Sequence, residues 1–485
     1  APDGTPAEYS ATNVPLQPKH HLPVSIKEIN DGDFAMVMGF PGTTNHFLTS
    51  YGLEETMNIT NDLRYKIRSV KINVLREEMA ASQATRIKYA SKYASCSNYW
   101  KYSHEQNIAL KNLNTMQIKK DIEKEYAEWA RNKDPKYAKA LSLIEKGYKD
   151  RAVSETAKIY LAEGMLQGPE LPWQAFQMGM GILQGLSSDN VDQRDAIFAE
   201  IREQMAEFYK DYNQATEQRL IASMFEYVYR NIDMNYCPAF LVAADKKFKG
   251  NFAAYAQNLL QSSVFANQAT FEKFMQKPSE KVLQKDPVFL AGQEIYMAYR
   301  QAATAVSRES ADGLTRGIRD FTNGILQINE GKKLMSPDAN STIRLTYGNV
   351  KAYDPKDAVA YKHYTTMKGI IEKEQPSGEF EVPARLKQLY YAKEFGQYAN
   401  ANGELVTCFI TNNDITGGNS GSPVIDANGN LIGLAFDGNG EAMSGDIDFE
   451  ENLQRCICLD TRYMLWVIDK FAGAHNLIEE MTIVR

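Results

Sequence analysis

A serine hydroxyl becomes a useful nucleophile where a tight turn exposes it and aims backbone N–H groups at the oxygen that gains charge. The segment Thr416-Gly417-Gly418-Asn419-Ser420-Gly421-Ser422-Pro423 has the residue types for such a turn. Glycine, serine, asparagine and proline also build ordinary loops, so a plain surface loop stays open as a second reading of these eight residues. The surroundings favour chemistry. A largely apolar run from Leu405 to Ile410 precedes the turn, and Val424-Ile425 and Leu431-Ile432 follow it. Between those two pairs, Asn428-Gly429 is a strong hairpin signal.

Gly418-Asn419-Ser420-Gly421-Ser422-Pro423 matches the G-[DN]-S-G-[GS]-P turn of chymotrypsin-like peptidases. In that arrangement Ser420 attacks, and the amides of Gly418 and Ser420 form the oxyanion hole. The run Leu434-Ala435-Phe436-Asp437-Gly438 would be the strand lying beside a bound substrate backbone. An acid on that strand has a task, because Asp437 could accept the charged amino terminus of a peptide. Its plainer role is a loop acid paired with a nearby Lys or Arg. Asp414 precedes Ser420 by the spacing of a trypsin-type pocket-base aspartate, which would predict Lys or Arg at P1.

The elements that must position these residues fall into three texts. Residues 1–52 read as extended structure, with Phe34-Ala35-Met36-Val37-Met38 as a short apolar strand stopped by Gly39-Phe40-Pro41-Gly42. Residues 53–335 read as helical: Leu63, Ile67, Val70 and Val74 recur at helical steps, as do Ile197, Ile201, Met205 and Phe208. Residues 336–485 return to strands, with Ile343, Leu345 and Tyr347 alternating, and Asp460 is placed to cap a final helix. A chain of 485 residues is long enough for two or more cores. The net charge of −7 argues against a nucleic-acid partner. No stretch is long and apolar enough to cross a bilayer as a helix. Five cysteines include a lone Cys456-x-Cys458 with no second ligand pair, so they are read as small buried side chains, not a metal site.

Longer motifs carry a closer resemblance. The nucleophile segment, Gly433-Leu434-Ala435-Phe436-Asp437-Gly438-Asn439, Glu441-Ala442-Met443-Ser444-Gly445-Asp446 and Asp469-Lys470 resemble the dipeptidyl-peptidase 7 and 11 family. So do residues 32–42 and Ser97-Asn98-Tyr99-Trp100-Lys101. The resemblance runs from near Ala7 to the C-terminus. It implies an α+β fold: a chymotrypsin-like double β-barrel, its first barrel largely missing here, with a large inserted α-helical domain capping the cleft. It also implies removal of dipeptides from oligopeptides with a free amino terminus, in the periplasm or outside the cell, without cofactor or metal. Homodimers are typical of that family. Asn98 and Asp437 would grip the substrate amine, and Phe436 would shape that pocket. By itself, Asn98 reads as an ordinary polar helix residue. Gly438 stands where the acid-preferring branch has arginine, implying a P1 pocket for aliphatic or aromatic residues. Asp414 ranks lower as a pocket base, since the family carries an acid there without cleaving after basic residues. Gly440 departs from a common Trp, which leaves the local pocket wall undefined.

A triad of this type runs His, Asp, Ser along the chain. The family's Thr-Asn-His-His-Cys context has no counterpart among His20, His21, His46, His104, His363 and His475. His20-His21 reads as a solvated loop, and His363 has no evident acidic orienter. A truncated start lacking the base is therefore the expectation. It would cost about 10⁴- to 10⁶-fold in rate and leave apolar surface near residues 14–40 without partners. A non-catalytic peptide-binding relative and a trypsin-like endopeptidase are the alternatives.

Overall fold

The computed structural model describes residues 1–14, 16–376, 378 and 380–485. Of the stretch 14–40, Pro15 lies outside the described residues. The chain divides into two compact units: Ala1–His46 with Pro337–Arg485, and Phe47–Ser336.

The first unit is built on strands. They are β1 (Val24–Ser25), β2 (Phe34–Gly39), β3 (Arg344–Asn349), β4 (Tyr353–Lys356), β5 (Val359–Tyr361), β6 (Tyr364–Thr366), β7 (Val406–Thr411), β8 (Ser422–Ile425), β9 (Leu431–Gly438), β10 (Cys456–Asp460) and β11 (Ile483–Val484). The main path runs β3-β2-β8-β9-β10-β7-β6, antiparallel throughout. A bridge between Val350 and Thr411 joins the end of β3 to the end of β7. Six strands therefore close into a ring, which removes exposed edges along most of its length.

The pleat decides what fills that ring. Ala35 and Val37 of β2 point inward with Val424, Ala435, Phe409, Cys456 and Cys458. Both cysteines are fully buried and behave as small apolar side chains, their sulfurs 3.5 Å apart. Alternate residues point outward. Phe34, Met38, Leu345 and Tyr347 are all exposed, and the register sets Met38 opposite Leu345 and Met36 opposite Tyr347. Ile343, just before β3, is exposed as well, as are Val14, Leu16 and Phe40. The outer face of β2 and β3 is thus apolar and open, where an ordinary solvent-facing sheet would alternate to polar residues.

The hairpin between β8 and β9 forms at Asn428-Gly429, with Gly429 at φ +84° and Asp426 N–H bonded to Asn430 O at 2.9 Å. Asp460 caps the helix Thr461–Trp466 and is paired with Arg462 at 2.7 Å, both groups buried. That helix packs its Leu465 and Trp466 against Tyr398, Leu386 and Leu389 as a second core.

The second unit is helical. Its apolar stripes form a large core that includes Leu63, Ile67 and Val74 of the helix Asp62–Ala81, and a smaller one around Tyr126, Ile144 and Phe321. Helix starts follow the expected chemistry: Ser82, Asn190, Asn213 and Asn267 each accept a backbone N–H from the first turn. Helical structure begins at Ser50, slightly ahead of the change in sequence pattern. Both the N–H and the hydroxyl of Ser50 bond to Glu123, a tertiary cap supplied 73 residues away.

One buried acid of this unit has a measurable consequence. Glu217 is fully buried; one carboxyl oxygen accepts the Leu171 N–H at 2.7 Å, and the other has no partner among the described residues. Burial, with Glu170 nearby, pushes its carboxyl up to about 7, against smaller opposing pulls from Lys71 and Lys92. The folded chain therefore holds this proton more tightly than the unfolded chain, so stability falls as pH rises from about 4.5 to about 7. Glu217→Gln keeps an acceptor for Leu171 and removes the charge. Denaturant titrations should find the variant stabilised by up to about 3 kcal/mol at pH 8, with the gain vanishing near pH 4.

Candidate active site

Residues 416–421 lead into β8 through two glycines with left-handed backbone: Gly418 at φ +106° and Gly421 at φ +82°. The Gly421 N–H bonds to Ala435 O of β9 at 2.7 Å, and Ser422 N–H bonds to Asn419 O at 2.9 Å. Asn419 is buried and turns its own backbone and side-chain N–H groups onto Thr416 O. Thr416 Oγ1 donates to Asp446 at 2.7 Å, which ties the start of the loop to the turn after β9.

Around the serine, donors stay unused. Among the described residues, neither the Gly418 nor the Ser420 N–H has an acceptor, and the Ser420 hydroxyl has no hydrogen-bond partner. Ser420 itself is exposed. A buried amide without an acceptor is rare, but at an open surface such amides are ready to receive an incoming oxyanion.

β9 carries the remaining residues of this unit. The bond from Gly421 to Ala435 fixes the register, so Phe436 and Asp437 follow directly at the same end of the β8–β9 pair as Ser420. Both are exposed, Phe436 by 45%. Among the described residues, the Asp437 carboxylate accepts only the Gly438 N–H, at 2.9 Å, so most of its capacity is open to a ligand. At Gly438 a Cβ would lie 3.0 Å from the Ala442 Cβ, so any side chain there needs the neighbouring turn to give. At Gly440 a Cβ would meet nothing within 4 Å.

Asp414 is largely buried, with its N–H on Thr346 Oγ1 at 3.1 Å. Burial pushes its carboxyl up to about 6; His46 opposes that rise and Asp446 adds to it. His46 thus bears electrostatically on Asp414, which sequence spacing gave no reason to expect. Its ring contacts Gly445 O at 3.0 Å, and its backbone N–H bonds to Asp338 at 2.8 Å. The other histidines of the unit lie elsewhere: His21 contacts Thr482 at 3.0 Å, His363 packs on Tyr364, and His475 pairs with Asp469 at 2.9 Å.

Asn98 belongs to the helical unit. It is exposed on the helix Gln83–Asn112, beside Tyr99, whose ring lies 5.9 and 5.3 Å from the Arg64 and Arg68 guanidinium carbons. Glu163 pairs with both arginines, at 2.8 and 2.7 Å. Among the described residues no group of His, Cys, Asp and Glu is arranged to hold a metal ion.

The family model for peptidase S46 matches residues 1–483. The chain belongs to the peptidase S46 family. It is 42% identical over 495 aligned residues to dipeptidyl-peptidase 7 of Phocaeicola vulgatus, covering 99% of this chain and 67% of that protein. It is 35% identical to the Asp/Glu-specific dipeptidyl-peptidase of Porphyromonas gingivalis, with 99% and 67% covered. Among solved structures, Porphyromonas endodontalis DPP11 in complex with the dipeptide Arg-Glu superposes with a TM-score of 0.90 at 35% identity, covering 99% of this chain and 68% of that one. The chain thus spans about two thirds of the length of these S46 relatives.

What sequence reasoning missed in this S46 site is the segment after β2. Gly42 N–H bonds to Gly417 O at 2.7 Å, and Asn45 N–H bonds to Asp446 O at 2.6 Å. In the sequence, Gly39-Phe40-Pro41-Gly42 reads as a strand stop and as part of a family motif, without a contact to the nucleophile turn. A Cβ at Gly418 would lie 2.3 Å from Phe40 O and 2.9 Å from Gly42 N. Gly418→Ala therefore meets both a left-handed φ and immovable backbone. Chemical denaturation should find the variant less stable by roughly 1–3 kcal/mol; an unchanged midpoint would contradict this packing.

Proposed function

We propose that this chain is a serine-type dipeptidyl-peptidase that releases amino-terminal dipeptides from oligopeptides through an acyl-enzyme at Ser420. The observation that carries the reading is the exposed Ser420 hydroxyl beside two unpartnered amides, with the open Asp437 carboxylate at the same end of the hairpin. The hydroxyl attacks the carbonyl after the second residue, and the Gly418 and Ser420 amides receive the oxyanion. Asp437 binds the substrate's ammonium group, so only peptides with a free amino terminus are held in register. Asn98 has a share in the same recognition by resemblance to the dipeptidyl-peptidase 7 and 11 family, and Phe436 contributes apolar contact. The names of the relatives support dipeptide release.

The P1 residue is hydrophobic in this reading. Gly438 brings no fixed cation to the pocket, and a side chain there would press on Ala442. An acidic P1 side chain would then pay its desolvation without a partner. A trypsin-like pocket based on Asp414 is less well supported, because burial holds that carboxyl up to about 6, so it carries its charge less readily than an open pocket-base acid.

Ser420 needs a base, and no histidine contacts it among the described residues. The chain itself lacks the triad His and Asp in this reading. The open apolar face of β2 and β3 is suited to receive a second β-barrel, as in the double-barrel arrangement of chymotrypsin-like peptidases, and that barrel would bring both residues. The helical unit acts as a cap domain, and the periplasm is the compartment of action.

The full-length protein should be labelled at Ser420 by a fluorophosphonate and should cleave H-Xaa-Leu or H-Xaa-Phe amides but not their acetylated forms. Ser420→Ala should lower kcat by about 10⁴-fold or more. Asp437→Asn should lower kcat/KM by roughly 10- to 100-fold, mainly through KM. Absence of labelling in folded full-length protein would instead favour a peptide-binding relative, and rapid cleavage of an acetylated Arg substrate would favour the Asp414 reading.

A further inference from the structure

The peptide unit between Gly417 and Gly418 is held from behind. Its carbonyl oxygen accepts the Gly42 N–H at 2.7 Å. In a trans peptide the C=O and N–H point in opposite directions, and the chain has no cis peptide among the described residues. Anchoring the Gly417 oxygen on Gly42 therefore turns the Gly418 N–H away from residues 40–42. That N–H is one of the two unpartnered amides beside Ser420.

The anchor itself is rigidly seated. A Cβ at Gly39 would fall 2.3 Å from Ser422 Oγ and 2.4 Å from Asn419 Oδ1, so β2 ends in direct contact with the nucleophile turn. Three residues past Gly42, the Asn45 N–H bonds to Asp446 O, and Asp446 in turn accepts Thr416 Oγ1. The segment is thus fastened to the loop before, at and after the peptide that matters. A Gly-Gly pair has little torsional preference of its own, so an external hold is what selects one orientation of its peptide plane.

We propose that Gly42 is a positioning residue for acyl transfer: its N–H fixes the plane of the Gly417–Gly418 peptide so that the Gly418 N–H faces the substrate oxyanion. This rests on the serine-peptidase reading of Ser420. The contribution is made in the transition state, because the second donor matters most when the carbonyl oxygen carries full charge. Loss of the hold should therefore appear in kcat and leave KM nearly untouched.

The test uses full-length protein carrying Gly42→Pro, which removes the donor, and Gly42→Ala, which keeps it but sets a Cβ 3.0 Å from Gly417 O. Steady-state kinetics on a dipeptidyl substrate are read with the affinity for a peptide aldehyde, whose hemiacetal oxygen needs the same hole, and with thermal melts. Gly42→Pro should lower kcat by about 10²- to 10³-fold, with KM within about threefold of wild type. Aldehyde affinity should fall in step while product dipeptide binds unchanged. Gly42→Ala should lose roughly tenfold in kcat by the same route. If the proline variant does not fold, the alanine variant decides alone. A folded variant that keeps kcat and aldehyde affinity overturns the proposal, as does a rise in KM at constant kcat. Ser420→Ala is run in parallel; if it stays active, the serine reading itself fails, whatever Gly42 does.

Discussion

Two chain segments approach closely where residues 39–42 lie against residues 417–422. Gly42 and Gly418 meet main-chain atoms of the opposing segment, and a Cβ at Gly418 would overlap Phe40 O, while one at Gly39 would overlap the Asn419 and Ser422 side chains. The geometry of the nucleophile turn follows from that approach. Asn419 is buried and consumes its donors on Thr416, Gly421 spends its N–H on β9, and Gly417 O is taken by Gly42. Among the described residues, the Ser420 hydroxyl and the Gly418 and Ser420 amides are left without a partner in this exposed turn. Polar groups are normally paired when buried, so the few left open at a rigid turn are those available for binding.

The barrel explains why that turn can be rigid. Six antiparallel strands close through the Val350–Thr411 bridge, and the strands on either side of the turn are both inside the ring. Inward positions are filled by small and branched side chains, including two free cysteines, while the outward positions of β2 and β3 are large and apolar. Such a face is costly in water, at about 25 cal/mol for each Å² left uncovered. Its position at the N-terminal side of the nucleophile segment, on the strand that ends in the Gly39 to Gly42 contact, links any partner that covers it directly to the turn.

The helical unit handles charge in two different ways. Glu163 is enclosed by two guanidinium groups, which also stack under Tyr99 next to Asn98. Glu217 receives a single backbone N–H and leaves one oxygen bare. A buried carboxyl with a single neutral donor is favoured in the protonated form. The same residue type therefore serves as a rigid support in one place and as a pH-sensitive capping group in the other.

Much of this was legible in the residues alone. The Gly418 to Pro423 motif, the Asn428-Gly429 hairpin, the alternation along β2 and β3, the helical stripes and the Asp460 cap are all local patterns, set by turn chemistry and by periods of 2 and 3.6. Strand reasoning also singled out Asp437, since it lies on the strand that pairs with the segment after the nucleophile turn. Contacts between distant segments have no such local trace. The Gly42 bond to Gly417 spans 375 positions in number, and the Asn45 bond to Asp446 spans a comparable gap. The cap of Ser50 by Glu123 is equally invisible to a reading of neighbours. Sequence thus determined which residues could do chemistry and which elements carry them. Only the folded chain decided which amides stay free, because that depends on where every other donor and acceptor finds its partner.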